Sequence, residues 1–143
     1  MKSQRKIAET VVMHILDTAG AFERRLDSAL SLSRGITFSE YRLLRSLATA
    51  DSQGLTRVAL ANAVSLTPSA VTRALKPLEK LGYVETSKNK RDARQSLASL
   101  TSGGRELLSD ADGVLQDFYN DVGAAAGREN LESLLGLMAR LRA

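Results

Sequence analysis

Ser65-Leu66-Thr67-Pro68-Ser69-Ala70-Val71-Thr72-Arg73-Ala74-Leu75-Lys76-Pro77-Leu78-Glu79-Lys80-Leu81-Gly82 carries the signals that decide the fold. Thr67 is a good N-cap, and proline costs nothing at the first helical position, where its missing N–H has no intrahelical partner in any case. A helix therefore starts at Pro68. Val71, Leu75, Leu78 and Leu81 recur at helical spacing on one side, while Ser69, Thr72, Arg73, Lys76 and Lys80 share the other. Gly82 is a helix stop. Pro77 removes one hydrogen bond inside the helix and predicts a bend costing about 3 kcal/mol unless packing absorbs it.

Upstream, Ser65-Leu66 is a tight connection to a short helix carrying Val58, Leu60, Ala61 and Val64, with Thr56 as its cap. Asp51-Ser52-Gln53-Gly54 is a polar loop, preceded by a helix with Tyr41, Leu43, Leu44 and Leu47 in step, capped by Thr37 or Ser39. Before that, an apolar stripe runs from Ile7 to Leu30 as one long helix, broken at Ser33-Arg34-Gly35. Downstream of Gly82, a strand begins at Tyr83-Val84-Glu85-Thr86 and a second runs from Gln95 to Leu100. Between them is a cationic tip containing Lys88, Lys90, Arg91 and Arg94. Thr101 caps a fifth helix whose stripe includes Leu107, Leu108, Leu115 and Phe118; Gly123 to Gly127 interrupts it, and a last helix carries Leu131, Leu134, Leu135, Met138 and Leu141.

The chain has 143 residues, enough for one domain with its own core. With no cysteine there is no disulfide frame, thiolate metal site or thiol nucleophile, and the lone His14 makes no metal cage. No cofactor or metal is expected. No apolar run approaches a bilayer span, so a cytoplasmic protein without a membrane partner is expected. Residues 57–105 hold nine Lys/Arg against three Asp/Glu, a net of +6, whereas residues 106–143 hold three against seven. A basic middle between a near-neutral start and an acidic end suits one face that meets a polyanion.

The expected architecture is mostly α with a small β-hairpin: a winged helix-turn-helix at 36–100, flanked by dimerisation helices at 5–32 and 102–142, within a single domain over 1–143. A major groove about 12 Å wide admits one helix, and side chains near its start must be small or hydrogen-bonding to reach base edges. Thr67, Ser69, Ala70 and Thr72 meet that need. Arg73 and Lys76, one turn on, suit guanine or phosphate, and Arg57 and Lys80 suit backbone phosphates. Lys88, Lys90, Arg91 and Arg94 suit an adjacent minor groove. The apolar stripes of the end helices exceed what one subunit can cover, which predicts a homodimer through Val11, Ile15, Leu115, Phe118, Leu131, Leu134, Leu135 and Met138. No nucleophile with a base, paired carboxylates or phosphate-binding glycine loop marks an enzyme; Gly103-Gly104 is no P-loop. The competing reading is a helical adaptor whose basic face binds an acidic partner protein.

The runs from Gly35 to Leu44, Leu66 to Arg73 and Leu78 to Val84, with Asp92-Ala93-Arg94 and Leu100-Thr101-Ser102-Gly103-Gly104, resemble the MarR family of bacterial transcriptional regulators over nearly the whole chain. The resemblance implies a repressor-type homodimer on double-stranded DNA with interlocked terminal helices. Its recognition helix would span Pro68 to Leu81, with Arg94 as the wing arginine in the minor groove and Asp92 ordering the wing. It also implies an effector pocket for a small aromatic or anionic molecule between reading unit and dimer helices, with His14, Phe22, Tyr41 and Tyr119 as candidate lining. At helical spacing such aromatics are more often core, and a histidine beside an apolar stripe is more often a partly exposed helix-face residue. Ala93 stands where many members carry a second arginine. The lack of Cys and Trp excludes the peroxide-sensing branch and the aromatic signature of the urate-responsive branch.

Overall fold

The first long helix, α1, spans Gln4–Arg34, a few residues beyond the apolar stripe at either end. Ser3 caps it, and its chain leaves through Gly35 in the left-handed region at φ +66°, which glycine enters without penalty. This computed structural model describes residues 3–50 and 53–143, so Asp51 and Ser52 of the expected polar loop lie outside the described residues. The remaining order is α2 (Phe38–Thr49), β1 (Leu55–Thr56), α3 (Arg57–Val64), α4 (Pro68–Lys80), β2 (Val84–Lys88), β3 (Ser96–Leu100), α5 (Ser102–Ala126) and α6 (Arg128–Leu141).

Threonine sets the start of four of these helices. The hydroxyls of Thr37, Thr56, Thr67 and Thr101 each accept the N–H three residues on, from Glu40, Ala59, Ala70 and Gly104, all at 3.1 Å. Each such cap contributes about 1 kcal/mol. Thr37, not Ser39, is therefore the α2 cap. Thr101 also donates to the Gly82 carbonyl at 2.6 Å, which fastens the start of α5 to the end of α4. A β-carbon at Gly104 would overlap the Tyr83 carbonyl, so this junction requires glycine on α5.

The expected two-stranded hairpin is an antiparallel sheet of three strands in the order β1-β3-β2, with Leu55 and Thr86 flanking Ala98. A two-residue strand has no period to detect, and its second residue doubles as the α3 cap. The hairpin strand begins at Val84 rather than Tyr83 and continues to Lys88, which narrows the tip.

The core gathers Leu43, Leu44 and Leu47 of α2, Leu60 and Val64 of α3, Val71, Leu75 and Leu78 of α4, Val84, Ala98 and Leu100 of the sheet, and Leu107, Ala111 and Leu115 of α5. Two expectations change here. Leu81 is 67% exposed, because the helix stops one residue earlier: Gly82 N–H bonds to Glu79 O at 3.0 Å and Tyr83 N–H to Leu78 O at 2.9 Å, with Gly82 at φ +80°. Leu115 fills the protomer's own core, so it is not an interface residue. The α4 helix continues through Pro77 to Lys80. Pro77 is exposed, and its missing bond falls at the Arg73 carbonyl, on the exposed face where water can satisfy it.

Candidate nucleic-acid interface

Burial of Val71, Leu75 and Leu78 fixes the rotation of α4 and turns Thr67, Ser69, Thr72, Arg73, Lys76 and Lys80 outward; Ala70 is half-buried beside them. Thr67 and Thr72 are pre-committed in opposite senses. The Thr67 oxygen accepts from Ala70 N–H and keeps its hydroxyl hydrogen free to donate. The Thr72 hydroxyl donates to the Pro68 carbonyl at 3.0 Å and keeps its lone pairs.

The wing tip holds itself in shape by side-chain to backbone bonds. Asp92 Oδ1 accepts from the Arg94 N–H at 3.1 Å and from Arg94 Nε at 3.3 Å, while the Arg94 side chain stays 93% exposed. The ordering role expected of Asp92 has a physical basis in this turn. Asn89 repeats the arrangement, accepting from Arg91 N–H at 3.0 Å. Asn89 and Gln95 also close the neck, through Asn89 N–H to Gln95 O at 3.0 Å and Asn89 Nδ2 to Gln95 Oε1 at 3.2 Å. Sequence reasoning missed both residues. The signal was present in Asn89-Lys90-Arg91 and Asp92-Ala93-Arg94, two consecutive copies of one acceptor-x-Arg spacing. Lys88, Lys90, Arg91 and Arg94 are all exposed, and the first three line a 560 Å³ hollow with Glu85, Ser87 and Ser99, which stand on the face of the sheet opposite Ala98.

Arg57 departs from expectation. Its side chain is 19% exposed; Nη2 lies 3.7 Å from Glu79 Oε1 and donates to Thr86 Oγ1 at 3.4 Å. It is committed inward, not presented as a free phosphate contact.

The four candidate pocket residues separate into two places. His14 and Phe22 line a 530 Å³ apolar cleft between α1 and α6 with Val11, Ile15, Leu134 and Met138. Tyr41 is 1% exposed and lies elsewhere, donating to Asp112 Oδ1 at 2.7 Å with the Tyr119 hydroxyl at 3.2 Å. Burial, reinforced by these hydrogen bonds to Asp112 and Tyr119, pushes the Tyr41 phenol up from its ordinary value, so it remains a donor. The two places connect through rings: Phe22 packs edge-on against Phe118 at 5.2 Å, and Phe118 against Tyr119 at 5.8 Å. Of the interface candidates other than Leu115, Val11, Leu134 and Leu135 are exposed, and Ile15, Phe118, Leu131 and Met138 are half-buried. Among the described residues no helix is long and apolar enough to cross a membrane.

Comparison with known proteins places this geometry. The MarR family model matches residues 36–96, close to the 36–100 unit read from the sequence. The HTH-type transcriptional repressor Rv2887 of Mycobacterium tuberculosis is 34% identical over 72% of this chain and 73% of its own length. An uncharacterized HTH-type transcriptional regulator of Bacillus subtilis, YdgJ, is 32% identical over 76% of this chain, which spans 65% of that protein. Among solved structures, the regulator BldR of Sulfolobus solfataricus superposes with a TM-score of 0.88 at 22% identity, covering 97% of this chain and 96% of that one. A mutant MarR of Escherichia coli complexed with operator DNA superposes at 0.76 with 24% identity, covering 99% and 98%. The capped α4, the three-stranded wing and the identity to the mycobacterial repressor across most of both chains lead to one assignment: this chain belongs to the MarR family.

Proposed function

We propose that this protein is a transcriptional regulator, acting as a repressor, that binds double-stranded DNA as a homodimer at an inverted repeat. One observation carries the reading: Arg73, Lys76, Lys80, Lys88, Lys90, Arg91 and Arg94 are all exposed, on the recognition helix and the wing that follows it. Of the carboxylates nearby, Glu79 is engaged by Arg57 and Asp92 by Arg94, while Glu85 stands exposed on β2. Such a surface binds a phosphate backbone, while Thr67, Ser69 and Thr72 supply short polar groups for base edges. The relatives named as repressors and the operator complex of the E. coli neighbour support the same reading by analogy.

The dimer reading rests on the ends of the chain, 5–32 and 102–142. Val12, Leu16, Leu134, Leu135 and Leu141 are left exposed there, an apolar area that a second copy would cover. A two-fold dimer presents two recognition helices to one side of the duplex, so half-site centres about 10 base pairs apart are expected. A small aromatic or anionic effector would act by changing the spacing of the two heads, through the joint where Tyr41 of α2 meets Asp112 and Tyr119 of α5.

Fluorescence anisotropy with duplex DNA over a salt series tests the DNA reading, followed by selection of sites from a random library. Binding that weakens steeply with salt and recovers an inverted repeat is the expected result. Absence of salt-dependent binding would sink it and favour an adaptor with an acidic protein partner.

A further inference from the structure

Four ion pairs occur among the described residues, and three involve side chains largely open to solvent. The fourth, Arg57 with Glu79, is the most covered, at 19% and 32% exposure, and it joins three elements. Arg57 opens α3, Glu79 lies near the end of α4, and Thr86, which accepts from the same Nη2, is the middle residue of β2. The pair therefore reaches from the body of the reading unit to both DNA-facing elements.

We infer that Arg57 is a positioning residue for DNA binding: by bridging Glu79 and Thr86 it holds the wing at a set angle to the recognition helix. The inference rests on the DNA-binding reading above and assigns to this side chain a different task from phosphate contact. Its need follows from how β2 is attached. The strand leaves α4 through Gly82 at φ +80°, and after Val84 its remaining four residues are exposed. Pairing with β3 holds it from one side, but little side-chain burial fixes its tilt. Arg57 reaches Thr86 from the opposite edge of the sheet, and the register sets Ala98, fully buried and small, in the row between β1 and Thr86. A bulkier residue there would crowd that row. A guanidinium suits the task because a single nitrogen at its far end, Nη2, lies between the carboxylate and the hydroxyl, and its delocalised charge tolerates this partly buried place better than a strongly hydrated ammonium. Electrostatics point the same way. Withdrawing Arg57 to grip a phosphate would leave the Glu79 carboxylate half-buried, unpaired and facing a polyanion, whereas the bridge neutralises it.

Two variants, Arg57→Lys and Arg57→Ala, separate positioning from gripping, each alone and combined with Arg94→Ala. Lysine retains the charge a phosphate contact needs but loses the two-way bridge. Positioning predicts that Arg57→Lys weakens duplex binding by about tenfold, nearly as much as Arg57→Ala, and that either change adds little once Arg94 is gone. Gripping predicts that lysine retains most of the affinity, that the Arg57 and Arg94 effects add, and that Arg57→Ala alone lowers the salt slope by about one unit. That pattern would overturn the inference. Amide hydrogen exchange on the free protein gives a test that needs no DNA. Arg57→Lys should speed exchange from Thr86 to Arg94 while leaving α1 and α5 unchanged. Unchanged wing exchange would overturn the inference even if DNA binding holds. Wild-type protein that fails to bind duplex DNA, with wing exchange responding as expected, would sink the DNA reading and leave the bridge standing.

Discussion

The middle of the chain and its two ends are equally rich in apolar periodicity, yet they spend it differently. In α4, Val71, Leu75 and Leu78 are each fully buried within the protomer. In α6, the stripe of Leu134, Leu135, Leu137 and Leu141 is exposed and no residue is buried, and α1 buries only Leu26 and Leu30 of its 31 residues. The comparison teaches that an amphipathic pattern states how much of a helix must be covered, not by what. A middle that buries its stripe, closed by Leu107, Ala111 and Leu115 of α5, beside outer helices α1 and α6 that leave most of theirs open, is the build expected of a head carried on arms.

The largest effects should break this contrast from its two sides. Leu75→Ala empties a site with no exposure and should cost about 2–5 kcal/mol in chemical denaturation. Leu135→Asp, at a position 71% exposed, should halve the mass seen by light scattering at micromolar concentration while changing denaturation of the head by less than about 0.5 kcal/mol. Collapse of the head in the second variant would mean that arms and head fold as one unit.

A smaller contrast lies within the middle, where α4 is laid on the core and the wing tip is tied only by its own polar bonds. Thr72→Ala or Arg73→Ala should lose about 1–3 kcal/mol on the preferred site and much less on random DNA, so specificity falls with affinity. Lys90→Ala and Arg94→Ala should weaken binding to both kinds of DNA, each lowering the salt slope by about one unit. Anisotropy over a salt series with preferred and scrambled duplexes measures both. Loss of specificity from the wing and of uniform affinity from the helix would reverse the two roles.

The smallest effect concerns the turn between α3 and α4. Ser65 holds φ +55°, a left-handed conformation reached without glycine, while its N–H bonds to Ala61 O. Ser65→Gly relieves that strain but frees the unfolded chain, so a net gain of at most about 1 kcal/mol is expected as a raised denaturation midpoint. A lowered midpoint would show that the strain is smaller than the entropy glycine adds.

Local signals were legible in the sequence and distant partnerships were not. Thr67-Pro68 at one end and Gly82 at the other mark α4 because caps and stops act within a few residues. Lys88, Lys90, Arg91 and Arg94 stand exposed on the hairpin, where the two flanking strand signals put them for the same reason. Arg57 was misjudged because Glu79 and Thr86, which take up its charge, lie on elements whose approach no local pattern announces. Leu115 belongs to a stripe continuous with Phe118, and only the packed protomer separates a core position from one at its rim. The candidate pocket residues divide between two places for a related reason. Tyr41 bonds to Asp112 and meets Tyr119 on α5, whereas His14 lines the cleft between α1 and α6.

The bond from the Thr72 hydroxyl to the Pro68 carbonyl has a consequence for what the protein can read. With its hydrogen spent inside the helix, Thr72 shows the groove two lone pairs and a methyl group. Those match the amino group of adenine or cytosine, or the methyl of thymine. Guanine, whose groove edge offers acceptors at N7 and O6, would set acceptor against acceptor. On the proposed operator, a guanine beneath Thr72 would therefore be disfavoured relative to adenine or cytosine.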